Sequence, residues 1–491
     1  MKSMAFLPGG RRGRWSSGTT GILIFVWCGA AGEAGASVVR VPQDFTGIQA
    51  AIDVAQTGDT VLVSQGTYPG GLIISGKTIT LASNYINTGN PLDISQTTIE
   101  GGSPILTLEA TVGAATTIRG LTFSKGDYQL VNRAHRVNIL NNRFIEGGGD
   151  QVSFEGAGGL VRNCYFDKAG DDGIDCDDAS DPTVENNTIL NSGNDCIEIR
   201  LHPYTGSMLE IFIRDNFLSG ATEDGVQLID YAGASSRIFR IEGNTFANNG
   251  MAGLGCMADG NSSENFAGAP LVEQVRVVGN TFSGNPHGLT GGDNMLVMNN
   301  IFVGASQIGV KRVAASSLVT YNDFWDNLTA YTGSNVNAAT TLLQNPLLDV
   351  DYDLLPGSPC VDAGAASMVW NGITVRAPPY LGATPDLGAY ETNPVAAVFP
   401  TPHGGLMLAG VRPNPTRSEF SVVFTLPDES PARIELLDLA GRRLLTRDLA
   451  GLGPGSHVVG LPETRTLPAG VYLVRLTQGR RSVTTRAAVV R

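Results

Sequence analysis

Apolar residues recur along this chain with a long period rather than a helical or simple strand one. A motif of Asn, any residue, then an aromatic or aliphatic residue appears as Asn142-Arg143-Phe144, Asn187-Thr188-Ile189, Asn216-Phe217-Leu218 and Asn244-Thr245-Phe246. It continues as Asn280-Thr281-Phe282, Asn300-Ile301-Phe302 and Asn322-Asp323-Phe324, while Leu121-Thr122-Phe123 and Cys164-Tyr165-Phe166 fit with the Asn replaced. From Phe123 onward the apolar members are 21, 22, 23, 29, 28, 36, 20 and 22 residues apart. A second apolar position follows each by seven or eight residues: Leu130, Val152, Ile174, Ile197, Val226, Leu254, Leu289, Val310 and Tyr331.

A period near 22 with repeated turn residues is the mark of a solenoid. It leaves room for three short strands and three turns, one coil of a parallel β-helix. Stacked coils pair strand on strand about 4.8 Å apart. The Asn residues are expected to adopt the left-handed turn conformation and to hydrogen-bond along the axis. Neither leucine-rich spacing nor a propeller-blade period is present.

An open solenoid end needs a cover. Thr46-Gly47-Ile48-Gln49 reads as a capping box ahead of Ile48, Ala51, Ile52 and Ala55 at helical spacing, which predicts a short amphipathic helix over the first coil. The run "VPQDFTGIQAAIDVAQTGDTVLVSQGTY" and the segment "LPGSPCVDAGAAS…TPDLGAYE" resemble the opening and closing coils of right-handed parallel β-helix proteins of the pectin-lyase-like superfamily. The resemblance spans residues 38–392 and implies the fold. The superfamily includes lyases, hydrolases, esterases, epimerases and adhesins, so it implies no single activity.

Composition sharpens this picture. The 62 glycines and 25 prolines lack a collagen period, and a 42% hydrophobic content argues against wholesale disorder. The net charge of −13 argues against non-specific nucleic-acid binding. That charge is uneven: residues 1–36 carry +3 and residues 401–491 carry +5, which leaves −21 for the body. Arg11, Arg12 and Arg14 precede an apolar run from Gly21 to Trp27, and Ala34-Gly35-Ala36 offers a cleavage site. Residues 1–36 are therefore expected to be a signal peptide, and the protein to be secreted or displayed at the cell surface. Export leaves five cysteines, an odd number that excludes a complete disulfide framework; buried apolar roles are expected.

Residues 37–392 are assigned to the β-helix and 393–409 to a linker. The alternating strands of 410–491, including "ARIELLDLAGRRLLTRDL" and "AGVYLVRLTQG", are assigned to a small β-sandwich. The last module resembles the C-terminal Ig-like sorting and anchoring domains of type IX-secreted bacterial proteins and the FlgD-type Ig-like fold. That resemblance implies a secretion or cell-surface partner. The fold expected overall is all-β: a right-handed parallel β-helix with an N-terminal cap helix, then an Ig-like sandwich, as a monomer.

With Val152, Ile174, Ile197, Val226 and Leu254 pointing inward, the residues one and three positions later point outward. The outward pairs are Ser153/Glu155, Asp175/Asp177, Glu198/Arg200, Gln227/Ile229 and Gly255/Met257. Asp150, Asp172, Asp195 and Asp224 fall in register at the preceding turn, and 15 of the body's 38 acidic residues lie between Asp167 and Asp230. The three longest coils place their extra residues after this strand, predicting a wall beside the acidic strip that carries His202, Tyr204 and Tyr231.

Adjacent carboxylates can hold unlike pKa values and divide acid and base roles, so Asp175 and Glu198 are the expected catalytic carboxylates, with Arg200 and His202 beside them. Lys168, Tyr204, Gln227 and Tyr231 are the expected substrate contacts. Clustered carboxylates also suit Ca²⁺, for which Asp172, Asp177, Asp195 and Asp224 are the candidate ligands; no organic cofactor is expected. Asp150 and Asp224 have the alternative role of capping backbone N–H groups, and Arg200 that of pairing with Asp177.

The segment "GDDGIDCDDASDPTVENNTILNSGNDCIEIR" resembles the central coils of polygalacturonase-type glycosidases, which implies catalytic aspartates at Asp172 and Asp195. However, Asn194 replaces a paired aspartate, and His287 of "PHGLTGG" stands three coils, roughly 14 Å, from Asp195. The expected activity is on a polysaccharide, by Ca²⁺-assisted β-elimination or carboxylate-driven hydrolysis. The alternative is a non-catalytic surface protein that binds glycan or Ca²⁺ through the same strip.

Overall fold

The computed structural model describes residues 36–392, apart from 234, and 406–489 apart from short stretches. The expected signal peptide and most of the expected linker lie outside the described residues.

Strands of three to five residues dominate because each coil turns sharply three times. They assemble into three parallel sheets of 12, 11 and 11 strands, with the strands of successive coils hydrogen-bonded side by side. The predicted register is the observed one. Leu130, Val152, Ile174, Ile197, Val226, Leu254, Leu289, Val310 and Tyr331 pair in a single row. Phe123, Phe144, Phe166, Ile189, Leu218, Phe246, Phe282, Phe302 and Phe324 form another. Within that second row the phenyl rings stack face to face, 4.5–5.0 Å between centroids. Each such pair contributes about 1 kcal/mol beyond its burial. The coils close on a single apolar core that runs from Val41 to Phe324.

The asparagines form a ladder at one corner. Asn187, Asn216, Asn244, Asn280 and Asn300 each pass a side-chain N–H to the Oδ1 of the next, ending on Asn322, at 2.9–3.0 Å. The same Oδ1 atoms accept a backbone N–H from the coil before. The expected left-handed conformation is displaced by one residue. It falls on Asn141, Asn163, Asn186, Asp215, Gly243, Gly279, Asn299 and Tyr321, immediately before each ladder position. The reason is that the ladder side chain must point into the stack while its predecessor makes the turn.

A helix, Ile48–Val54, covers the first coil with Ile48, Ala51 and Ile52 buried. Its capping box is not made: Gly47 is the N-cap and no side chain caps it. Gln49 instead bonds Asp53 and the backbone of Ile73, which ties the helix to the coil beneath. All five described cysteines are buried and unpaired. In the C-terminal module, strands of 407–489 form antiparallel sheets of three and four strands around Phe420, Phe424, Ile434 and Val474, a small sandwich.

Candidate active site

The site lies on the outer face of the sheet that contains strands Val152–Glu155, Ile174–Asp177 and Ile197–Leu201. Parallel pairing puts Ser153, Asp175, Glu198 and Gln227 in one outward column. Beside it, at the corner, Asp150, Asp172, Asp195 and Asp224 form a second ladder. Each Oδ1 accepts the backbone N–H of the next coil, at 3.1, 2.8, 2.6 and 2.6 Å, the last from Ala252.

A groove of about 510 Å³ opens over the lower part of this surface. Asp175, Asp177 and Arg200 form its floor; Asp150, Asp171 and Asp172 line one side, Arg133 and Glu155 the other, with Ser103, Pro104 and Tyr128 at one end. Arg200 lies across the floor. Its guanidinium bonds Asp175 at 3.1 Å and Asp177 at 3.3 Å and touches Glu198. Glu198 is fully buried; its Oε1 meets the Arg200 guanidinium and its Oε2 has no partner. Carboxylate oxygens of Asp172, Asp175 and Glu198 lie within 4.8 Å of one another, as do those of Asp150, Asp171 and Asp172.

This crowding changes the proton affinities. Burial raises Asp175 to about 8, with Asp177 and Asp150 adding to the shift and Arg200 opposing it. Burial likewise raises Glu198 to about 7 against the pull of Arg200, and Asp150 to about 6. Asp172, Asp195 and Asp224 are also raised, by burial first and then by their acidic neighbours. Burial of Arg200 works against its charge, but Asp175, Glu198 and Asp177 outweigh that and make it a stronger cation.

The residues singled out from the sequence therefore fall into four groups. Asp172, Asp175, Asp177 and Arg200 line the groove, and Glu198 lies buried against Arg200. Asp195 and Asp224 sit in the corner ladder, outside both carboxylate clusters, and Gln227 is buried beside Asp224. His202, Tyr204 and Tyr231 stand on the wall: the His202 and Tyr231 rings are 4.4 Å apart, His202 pairs with Asp178 at 3.1 Å, and Arg237 lies over Tyr204. Lys168 is an exposed left-handed turn residue and does not line the groove. Tyr128, Arg133 and Asp171 were not anticipated. The outward register could have supplied Tyr128 and Arg133, since they flank Leu130–Asn132 one coil below. Ile229 and Met257 face outward as expected but are buried, because the segment after Met257 crosses over them.

A larger depression, about 740 Å³, lies on another sheet around Arg136, Arg162, Glu185 and Arg214. Glu185 is neutralised there between Arg162 and Arg214. Its central carboxylate is already held by two guanidiniums, so the acidic groove is the better candidate.

Residues 63–203 and 105–302 match the family described as right handed beta helix region, and residues 411–491 match the secretion system C-terminal sorting domain. The chain is a right-handed parallel β-helix protein that carries a secretion-system sorting domain, as its resemblance to the pectin-lyase-like superfamily implied. No curated protein matches it in sequence. Among solved structures it is similar to the catalytic unit of a GH87 α-1,3-glucanase from Streptomyces thermodiastaticus, at 15% identity and a TM-score of 0.41, over 60% of this chain and 64% of that one. It is also similar to a PL6 family alginate lyase, at 14% identity and a TM-score of 0.39, over 66% of this chain and 56% of that one. The A-module of an Azotobacter vinelandii mannuronan C-5 epimerase shares 14% identity at a TM-score of 0.33, over 61% of this chain and 92% of that one. The chain spans less than two thirds of the glucanase and lyase structures.

Proposed function

We propose that this protein is an exported enzyme that cleaves a polysaccharide by carboxylate chemistry in the groove over Asp175 and Glu198. The observation that carries the reading is a pair of buried carboxyls on adjacent coils, raised to about 8 and about 7: Asp175 lines an open groove, and Glu198 lies beneath the Arg200 that forms its floor. Asp175, the weaker acid, donates a proton to the leaving glycosidic oxygen. Glu198, which Arg200 biases toward the ionised form, attacks the anomeric carbon. Water then releases the sugar, its hydroxyl going to that carbon and its proton to Asp175. The carboxyls stand closer than the roughly 6.5–9.5 Å an inverting pair needs to admit water, so the retaining course fits better. Arg200 covers both groups in the free protein and must swing aside as substrate enters.

A second reading is Ca²⁺-assisted β-elimination on a uronate. Its support is the all-oxygen donor set of Asp172, Asp175 and Glu198, with a Glu198 Oε2 that has no partner, which suits a hard divalent cation. Bound there, the cation would neutralise a uronate carboxylate. Against it, Arg200 is too strong a cation to act as the base. The sorting domain supports a type IX route to the cell surface, with the secretion machinery as partner.

Asp175→Asn and Glu198→Gln should each lower turnover by about 100-fold or more with the melting temperature preserved. New reducing ends indicate hydrolysis, and ultraviolet-absorbing unsaturated ends indicate elimination. Binding across a broad glycan panel with neither product would overturn the enzyme reading in favour of a binding protein.

A further inference from the structure

The acidic strip is open along only part of its length. Every residue lining the groove comes from the coils between Ser103 and Arg200, about 19 Å from the first strand to the last. One coil further on, the outward positions Gln227 and Ile229 are fully buried, and Met257 after them is 1% exposed.

The cover is the segment 258–273, the largest insertion in the ladder. It is fastened to the sheet rather than draped over it. The Gly260 N–H donates to the Asp230 carbonyl at 2.8 Å, and the Glu264 N–H to the Glu223 carboxylate at 3.0 Å. The Ala269 N–H donates to the Cys256 carbonyl at 2.7 Å, while the Ala269 carbonyl accepts from Gly292 at 2.9 Å and from the Arg312 side chain at 3.2 Å. Phe266 stacks on the buried His287 at 4.3 Å. The Glu264 side chain drops into the outward column beside Asp224. Residue 255 of that column must be glycine, because a Cβ there would collide with both the Asp224 and Glu264 carboxylates. The fit of insertion to strip is built into the strip itself. On the flank, the wall is also braced: Arg237 donates to the carbonyl of His202 at 2.9 Å and packs over Tyr204.

We propose that the groove is a dead end that receives a polysaccharide by its terminus, with 258–273 as the stop and the Ser103–Tyr128 end as the entrance. This rests on the groove being a glycan site. A chain lying in it has room on the entrance side of Asp175 and Glu198 and none beyond them, so contact and cleavage are confined to the last units of the chain.

The test needs no variant and no turnover. Polygalacturonate, alginate and pullulan, each as a short and a long size fraction, are titrated calorimetrically into the full chain with Ca²⁺ present. For whichever glycan binds, the expected result is one protein per chain in both fractions, with affinity per chain independent of length. Several proteins per long chain would overturn the dead end and leave the glycan site standing. Absence of binding to all three would overturn both. Replacing 259–268 by a short Gly-Ser link should then raise the number bound per long chain; an unchanged number would show that the segment is not the stop.

Discussion

Two corners of the same solenoid solve one stacking problem with different chemistry. At one corner asparagines run from Asn187 to Asn322; at the other, aspartates run from Asp150 to Asp224. Both use Oδ1 to accept a backbone N–H from a neighbouring coil. The amide also donates, so Asn216 passes Nδ2–H to the Val184 carbonyl and to Asn244 Oδ1, and the rung is closed. A carboxylate has nothing to donate. Asp195 is left with a buried Oδ2 that has no partner, and burial raises the proton affinity of the whole row. The fold itself did not require that cost, since asparagine would serve at both corners. The aspartate corner lies against the groove, where the proposed chemistry would use carboxylate oxygens.

Reciprocal exchanges should separate the two ladders most strongly. Asn216→Asp removes two donors and buries a charge against the Asn244 oxygen, which should cost about 3–5 kcal/mol in urea unfolding. Asp195→Asn keeps the acceptor for the Asp224 N–H and removes a buried acid, and should be neutral or stabilising at pH 8. Equal losses from both would erase the distinction.

The next difference is in pH. Asp150, Asp175 and Glu198 bind protons more tightly folded than unfolded. Their contribution is therefore fully present below the unfolded values near 3.8 and 4.5. It is lost as pH rises through about 6, 8 and 7 respectively. Unfolding free energy at fixed temperature should fall between pH 4 and 8 by an amount on the order of a few kcal/mol. Asp175→Asn should flatten the upper part of that decline. A curve with the same slope in the variant would remove Asp175 from the account.

A smaller effect concerns the resident guanidinium. Arg200 holds two of the three carboxylates, Asp175 and Glu198, that a divalent cation would share with Asp172, so Arg200→Ala should tighten Ca²⁺ binding about tenfold, near 1.4 kcal/mol. Calorimetry at pH 8 reads this directly. Weaker binding in the variant would show that Arg200 assists the cation rather than competing with it.

The coil register was legible because it is written once per coil: each Phe, Leu or Val that faces the core recurs at the same phase, and errors in one coil are corrected by the next. The outward column of Asp175 and Glu198 followed from that phase alone. Tyr128 and Arg133 were less legible because they belong to a coil with few carboxylates, outside the acidic run from Asp167 to Asp230. The cover over Gln227 and Ile229 was not legible for a different reason. An insertion's length shows that it leaves the coil, but its path depends on contacts such as Phe266 with His287 that have no sequence period. The predicted capping box failed similarly: Gln49 has the right spacing, but a tertiary partner, Ile73, captures it.

One rung of the asparagine ladder is not an amide. Cys164 stands between Asn142 and Asn187, and its sulfur meets the Asn142 N–H and the Ile139 carbonyl at 3.4 Å, longer and weaker than the amide contacts on the following coils. The sulfur makes this a softer contact within the corner, while the strands on either side stay paired and the Phe144 and Phe166 rings stack at 4.8 Å. The groove straddles this rung, with Asp150 on one side and Asp175 and Glu198 on the other. An amide donor and acceptor are thus missing from the corner of a coil that the groove crosses.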